Sequence, residues 1–252
     1  MNRLIALLLA MVFGFGTSFD TAFAADAAPA KITVLLITGD DVGAHNWREM
    51  SESTRSVLVN AGKFNVKVCE DLQILDSAAA IEPYDVILFM VYATKNSPKL
   101  TDQGKENLLK FVQSGKGFVV QHLASASFAD WEEFGKLCGR KWVMGKSGHG
   151  PRSVFEAKVV KADHPITKGI SNFKIDDELY AKLQGDEPIE VLVEADSDWS
   201  KKTEPLFFVK TYGQGRVVHN AFGHDGKVMA DANVAKLIAR SVEWAATGKV
   251  AE

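Results

Sequence analysis

Five of the six histidines stand on glycine-flanked loops or at strand ends: His45, His122, His149, His219 and His224. Imidazole changes charge near neutral pH and ligates metals, so such a group suits proton transfer or electrophilic catalysis. Glu178, in the run Ile175-Asp176-Asp177-Glu178-Leu179-Tyr180, adds a carboxylate. His122 and Glu178 are the candidate acid/base pair. His45 and His224 are candidates to orient or polarise a carbonyl. Asp40, Trp47, His149, Asp177 and Asp225 are the candidate substrate contacts, with Trp47 offering a flat face to a sugar ring from the loop that carries His45. His164, in Asp163-His164-Pro165, reads instead as a turn residue. His219 is on a strand, opposite in facing to Val218, so one of the two points inward.

No cofactor is required by these residues. A divalent metal such as Zn²⁺ could be held by some of them and would polarise a carbonyl. No His-x-His or HExxH spacing marks such a site. There is no GxGxxG after the first strand, no GxxxxGK[ST] and no GxSxG, which argues against dinucleotide, ATP and serine-esterase chemistry.

The elements that must position these groups follow from the apolar pattern. Lys31–Thr38 and Asp85–Tyr92 are continuous apolar runs of the kind covered on both faces of a sheet. Phe64–Cys69 alternates as a strand, and Phe118–Gln121 is a short buried strand running straight into His122. Helical spacing from Trp47 to Ala61 ends at Gly62, and Thr101 can cap a helix that ends before Gly115. Phe128–Leu137 also reads as helix. This β-α-β alternation predicts a parallel sheet with helices on both faces. In the second half, strands are expected at Ser153–Lys161, Glu190–Glu194, Pro205–Thr211 and Arg216–Ala221, the last two as a hairpin. Asp163–Asp177 reads as loop and Ala230–Ala246 as a closing amphipathic helix. Ligands of such sheets bind outside the carboxyl ends of the parallel strands. The loop with His45, the strand end at His122 and the segment Ser147–Gly150 fall there.

The chain has 252 residues, 46% hydrophobic and 24% charged, with a formal net charge of −3. Those proportions are globular, and the lack of a basic excess argues against a nucleic-acid partner. Residues 1–24 read as a secretory signal: Arg3, an apolar run from Ile5 to Phe15, then Ala22-Phe23-Ala24. The mature domain would span 25–252, in a periplasm or outside the cell, with no membrane partner after cleavage. The two cysteines, Cys69 and Cys138, are expected to be free thiols. Oligomeric state is not legible.

The ordered set Gly39…His45-Asn46-Trp47, Tyr84–Leu88, Gly115-Lys116-Gly117…His122, His164-Pro165-Ile166, Asp177-Glu178-Leu179-Tyr180 and Tyr212-Gly213…Gly215-Arg216-Val217…Gly223-His224-Asp225 resembles the ThuA-like family, named for trehalose utilisation. The resemblance implies a flavodoxin-like three-layer α/β sandwich of the class I glutamine-amidotransferase type, with a mostly parallel sheet. It also implies carbohydrate metabolism, in particular keto-sugars made from disaccharides. Amidotransferases carry a nucleophilic cysteine on the turn where this chain has His122, so a thiol-based glutaminase is not expected. The reading is an enzyme acting on a sugar or 3-keto-glycoside, as lyase, hydrolase or isomerase. The alternatives are a non-catalytic sugar-binding or accessory protein and, by fold analogy, an amide or ester hydrolase.

Overall fold

The computed structural model describes residues 30–251 except 41, 96 and 98. The expected signal segment lies outside the described residues. Nine strands form a single sheet in the order β2-β1-β3-β4-β9-β8-β7-β5-β6. They are β1 (Ile32–Ile37), β2 (Phe64–Cys69), β3 (Val86–Phe89), β4 (Gly117–Gln121), β5 (Ser153–Val159), β6 (Phe173–Asp177), β7 (Glu190–Ser197), β8 (Lys202–Tyr212) and β9 (Gly215–Asn220). β2, β1, β3, β4 and β9 run parallel. From β9 outward every pairing is antiparallel. The sheet is therefore mixed, with the parallel half holding the continuously apolar strands.

Alternation along each strand feeds two apolar cores. Val34, Leu36, Leu88, Val119 and Val218 pack on one face against α1 (Trp47–Asn60) and α6 (Ala232–Thr247). Leu35, Ile37, Phe89, Phe118 and Val217 pack on the other against α3 (Asp102–Gln113) and α4 (Glu132–Cys138). Asn46 caps α1 by accepting from the Glu49 amide, and Thr101 caps α3 through the Gly104 amide. Two short helices, α2 (Ala78–Ile81) and α5 (Gly226–Met229), and 3-10 turns at Leu72–Asp76 and His122–Ala126 complete the set.

Three expectations need correction. Asp163–Asp177 is not all loop: Phe173–Asp177 is β6, a short alternating run that pairs antiparallel with β5. Phe128 opens a turn, not a helix. Its backbone has φ 54°, and helix starts only at Glu132. β3 ends at Phe89: the Met90 amide makes a last bond to the Ile37 carbonyl at 2.8 Å, and Tyr92 goes on to border the site. Cys69 and Cys138 are both free, the latter buried. Burial pushes the Cys138 thiol well above its usual range, which leaves it inert. No helix among the described residues is long and apolar enough to cross a membrane.

Candidate functional site

The site is built at the carboxyl ends of β1, β4 and β9, with β6 supplying the fourth approach. After β1, the chain turns through Gly39 (φ 116°) and Asp40 (φ 70°). A Cβ on Gly39 would stand 3.0 Å from the Glu70 carbonyl, so this turn is closed to larger residues. Asp40 is held by the Ser97 hydroxyl, and His45 closes the loop by donating its amide to the Val42 carbonyl at 3.0 Å.

At the end of β4, His122 takes φ 48°, a left-handed backbone at a β-branched-free but non-glycine position. Such strain persists only where surrounding contacts hold it. The ring is wholly buried, stacked on Tyr180 with centroids 4.1 Å apart, and Nδ1 lies 2.6 Å from the Ala221 carbonyl. A carbonyl can only accept, so Nδ1 donates, and in the neutral ring the Nε2 lone pair then faces the centre. Beside it, Gln121 donates to the Phe222 carbonyl at 2.5 Å and accepts from Asn220 at 3.1 Å, tying the end of β4 to the end of β9.

The third tie is Asp177, the last residue of β6. Its carboxylate accepts the Gly223 amide at 2.8 Å, the His224 amide at 3.1 Å and the Glu178 amide at 2.9 Å. Asp177 thus locks the loop carrying His224 to the segment carrying Glu178. Burial raises its pKa, against the lowering pull of His122 and those amides. It positions the site rather than lining it.

These ties bring four imidazoles around one carboxylate. His45 Nε2 and His122 Nε2 lie 3.8 and 3.7 Å from Glu178 Oε2. His224 Nδ1 lies 3.2 Å and His149 Nε2 3.5 Å from Oε1. One ligand atom from each of His45, His122, Glu178 and His224 fits within 4.8 Å of the others. Side-chain exposure rises outward from 0% at His122 through 8% at His45 and 21% at His224 to 32% at His149. Burial, then the neighbouring His122 and His224, depress the His45 pKa to about 3, so its ring is neutral at physiological pH. For Glu178, burial acts upward, but contact with His122 and the His149 and His224 rings outweigh it and hold the carboxyl at about 2. Glu178 Oε2, His45 Nδ1 and His224 Nδ1 are buried without a hydrogen-bond partner.

The remaining candidates fall around this centre. Asp40 and Trp47 line a narrow notch with His45 and Tyr92. Asp225 is engaged elsewhere, bonded to Arg152 at 2.5 Å and capping α5 through the Val228 amide. His219 faces away, toward α4: its Nδ1 lies 3.2 Å from the Cys138 carbonyl. His164 packs against Trp244, with ring centroids 5.2 Å apart.

A cleft of about 790 Å³ opens beside the centre, lined by Tyr92, Lys95, Phe128, Trp131, Trp142 and Met144 among others. Tyr92 also borders the notch at His45. Trp142 packs on Tyr180 at 4.6 Å and on His149 at 5.9 Å, so one wall of the cleft is continuous with the histidine cluster. Tyr180 and Tyr92 are site residues that residue type alone does not single out. Tyr180 stands two residues after Glu178, and Tyr92 ends the apolar run that contains β3.

The fold and site together define an α/β protein with a histidine-rich centre at the carboxyl edge of its parallel strands. The sequence profile of the ThuA family, described as trehalose utilisation, matches residues 33–245, and the chain belongs to that family. It is similar to the crystal structure of a putative ThuA-like protein from Parabacteroides merdae, with TM-score 0.75 and 27% identity over 88% of this chain and 92% of that one. A putative ThuA-like protein from Bacteroides uniformis gives TM-score 0.69 and 18% identity, covering 90% and 98%. A β-galactosidase from Bacillus circulans shares the fold at TM-score 0.56 and 15% identity, over 85% of this chain and 31% of the larger protein. A comparison with curated proteins finds no match.

Proposed function

We propose that this chain is an exported enzyme of carbohydrate metabolism that acts on a sugar or 3-keto-glycoside by acid/base chemistry at the Glu178 centre. The observation that carries this reading is the convergence of four imidazoles on one ionised carboxylate beside a cleft walled by Trp131 and Trp142. Aromatic walls suit the apolar faces of a sugar ring. The order of the five parallel strands, second-first-third-fourth-last, is that of flavodoxin-like sheets and supports the glutamine-amidotransferase-like layering as the finer description of the fold.

A 3-keto group acidifies the carbon–hydrogen bond beside it. Removing that proton needs a base that reaches the substrate and a group that stabilises the developing enolate oxygen. Glu178, held at about 2, is a weak proton acceptor but a fixed negative charge. His149, the most exposed of the four rings, stands 3.5 Å from Glu178 Oε1. His149 takes the proton, and Glu178 stabilises the imidazolium that forms. His122, expected from the sequence as the acid/base partner, is buried and forms the inner wall, which leaves His45 and His224 to polarise the enolate oxygen. Protonation of the glycosidic oxygen by the same His149 would complete an elimination. A cysteine nucleophile has no place here, because His122 occupies the turn after β4.

The test is a proton NMR time course of the purified protein with 3-keto-trehalose, beside His149→Ala and His122→Ala. New sugar signals that require both histidines support the reading. The aromatic cleft also favours a binding protein without turnover. Broadened sugar lines with no product in any of the three proteins would establish that alternative.

A further inference from the structure

We propose that His45, His122, His224 and Glu178 form a mononuclear site for a borderline divalent transition-metal ion of the Zn²⁺ kind. The inference rests on donor chemistry and spacing, and stands whether or not the substrate is a sugar.

Spacing is the first argument. Four tetrahedral donors at about 2.0–2.1 Å from Zn²⁺ stand about 3.4 Å from one another. His45 and His122 Nε2 are 3.2 Å apart, His224 Nδ1 and Glu178 Oε1 3.2 Å, and Glu178 Oε2 lies 3.7 and 3.8 Å from the other two nitrogens. The separations are those of donors around one ion rather than of direct hydrogen bonds, since two of the four exceed hydrogen-bond length.

Unmet bonding capacity is the second. Glu178 Oε2 and His224 Nδ1 are buried and make no hydrogen bond. Leaving such atoms unpaired is costly, and a cation between them satisfies both. Outer support is the third. The His122 Nδ1–H to Ala221 carbonyl bond fixes the tautomer that presents an Nε2 lone pair inward, the arrangement that orients metal-bound imidazoles. Asp177 then clamps the backbone amides of Glu178 and His224.

Three imidazoles and one carboxylate choose the metal class. Mg²⁺ and Ca²⁺ prefer all-oxygen shells, whereas imidazole suits Zn²⁺ and its neighbours. His149 stays outside the set: its Nδ1 is 2.6 Å from the Gly150 carbonyl, and its Nε2 approaches Glu178 Oε1 alone, at 3.5 Å.

The experiment is isothermal titration of the chelator-stripped full chain with Zn²⁺, with Co²⁺ absorption as a second readout and no sugar present. The expected result is one equivalent of Zn²⁺ and the intense visible bands of low-coordinate Co²⁺. His224→Ala and Glu178→Gln should each weaken binding on the order of 100-fold or more, while His149→Ala keeps the stoichiometry. Circular dichroism checks that each variant is folded, and the near-isosteric Glu178→Gln serves if His224→Ala is not. Absence of saturable one-to-one binding overturns the proposal, as does full affinity in folded His224→Ala and Glu178→Gln. Metal binding without sugar conversion would leave this site standing and remove the enzymatic reading.

Discussion

His45 and His122 are 77 residues apart in sequence, yet their Nε2 atoms lie 3.2 Å from each other. Two neutral imidazoles at that distance need one to donate, or a cation to share. Because His122 Nδ1 already donates to the Ala221 carbonyl, its Nε2 is a lone pair facing the centre. Everything else at the site follows from how the surrounding chain enforces this approach.

Asp177 is the strongest of those constraints. Asp177→Asn replaces one accepting oxygen with an amide that cannot accept, so at least one of the Gly223, His224 and Glu178 amides loses its partner inside the protein. A buried unsatisfied donor costs about 1–3 kcal/mol. Urea denaturation should show a loss of that size, and Zn²⁺ affinity should fall although no donor atom has been removed. An unchanged midpoint together with unchanged affinity would show that Asp177 is not a clamp.

Gly223 makes a sharper steric test. Its φ is 120°, and a Cβ there would stand 2.4 Å from Met229 Cε and 2.9 Å from Gln121 Nε2. Gly223→Ala therefore combines a disfavoured backbone with a collision beside the residue that presents His224. A cost of about 2 kcal/mol or more is expected from strain at such a position, read as a lower thermal midpoint. A variant as stable as the parent would mean that the loop relaxes without disturbing His224.

The parallel half of this fold was legible because each of its strands carries its own signal. Lys31–Thr38 and Phe118–Gln121 are apolar on both faces, and Gly62 and Gly115 end the helices that separate them. The alternating FNVKVC run is β2 to the residue. β6 is easily passed over because its alternation, apolar Phe173 and Ile175 against polar Lys174 and Asp176, is short and follows a turn-like stretch, and its partner β5 is distant in sequence. The turn at Phe128 likewise hid behind helical-looking spacing. At the site, histidine type and loop position drew attention to His45, His122 and His224, but His219 carries the same local signature. Only strand facing separates it from the others: His219 shares the side of Val217, away from the cluster. Asp225, expected as a substrate contact, is instead bonded to Arg152 and to the Val228 amide of α5, the one partner distant in sequence and the other set by the cap.

Trp142 joins the cleft to the centre, and its removal separates binding from chemistry. The ring packs 4.6 Å from Tyr180 and 5.9 Å from His149. Trp142→Ala should weaken sugar binding by roughly two- to tenfold, the size expected for a lost aromatic contact of about 0.5–1.5 kcal/mol, with Zn²⁺ stoichiometry unchanged. Chemical-shift titration with a disaccharide reads the first quantity and calorimetry the second. Equal sugar affinity in the variant would place the sugar elsewhere than this cleft.

Acidification offers a test of the buried histidine that the site does not use. His219 is fully buried, its ring lies on Phe208 with centroids 4.5 Å apart, and its Nε2 has no partner. An imidazolium would put an unpaired N–H there. Burial accordingly depresses its pKa from 6.5 to about 4; the Cys138 carbonyl opposes the shift, and His122 and Arg140 add to it. Between those two values the unfolded chain binds a proton that the folded chain refuses. Stability from this group is therefore complete above pH 6.5, falls as pH drops toward 4, and changes little further below that. A shift of this size corresponds to on the order of 3 kcal/mol. His219→Gln cannot titrate, so it should be less stable than the parent at pH 7 through lost packing, yet lose less stability between pH 6.5 and 4. The measurement is urea denaturation at half-unit pH steps for both proteins. Parallel stability–pH curves would mean that His219 takes up its proton in the folded chain as readily as in the unfolded one.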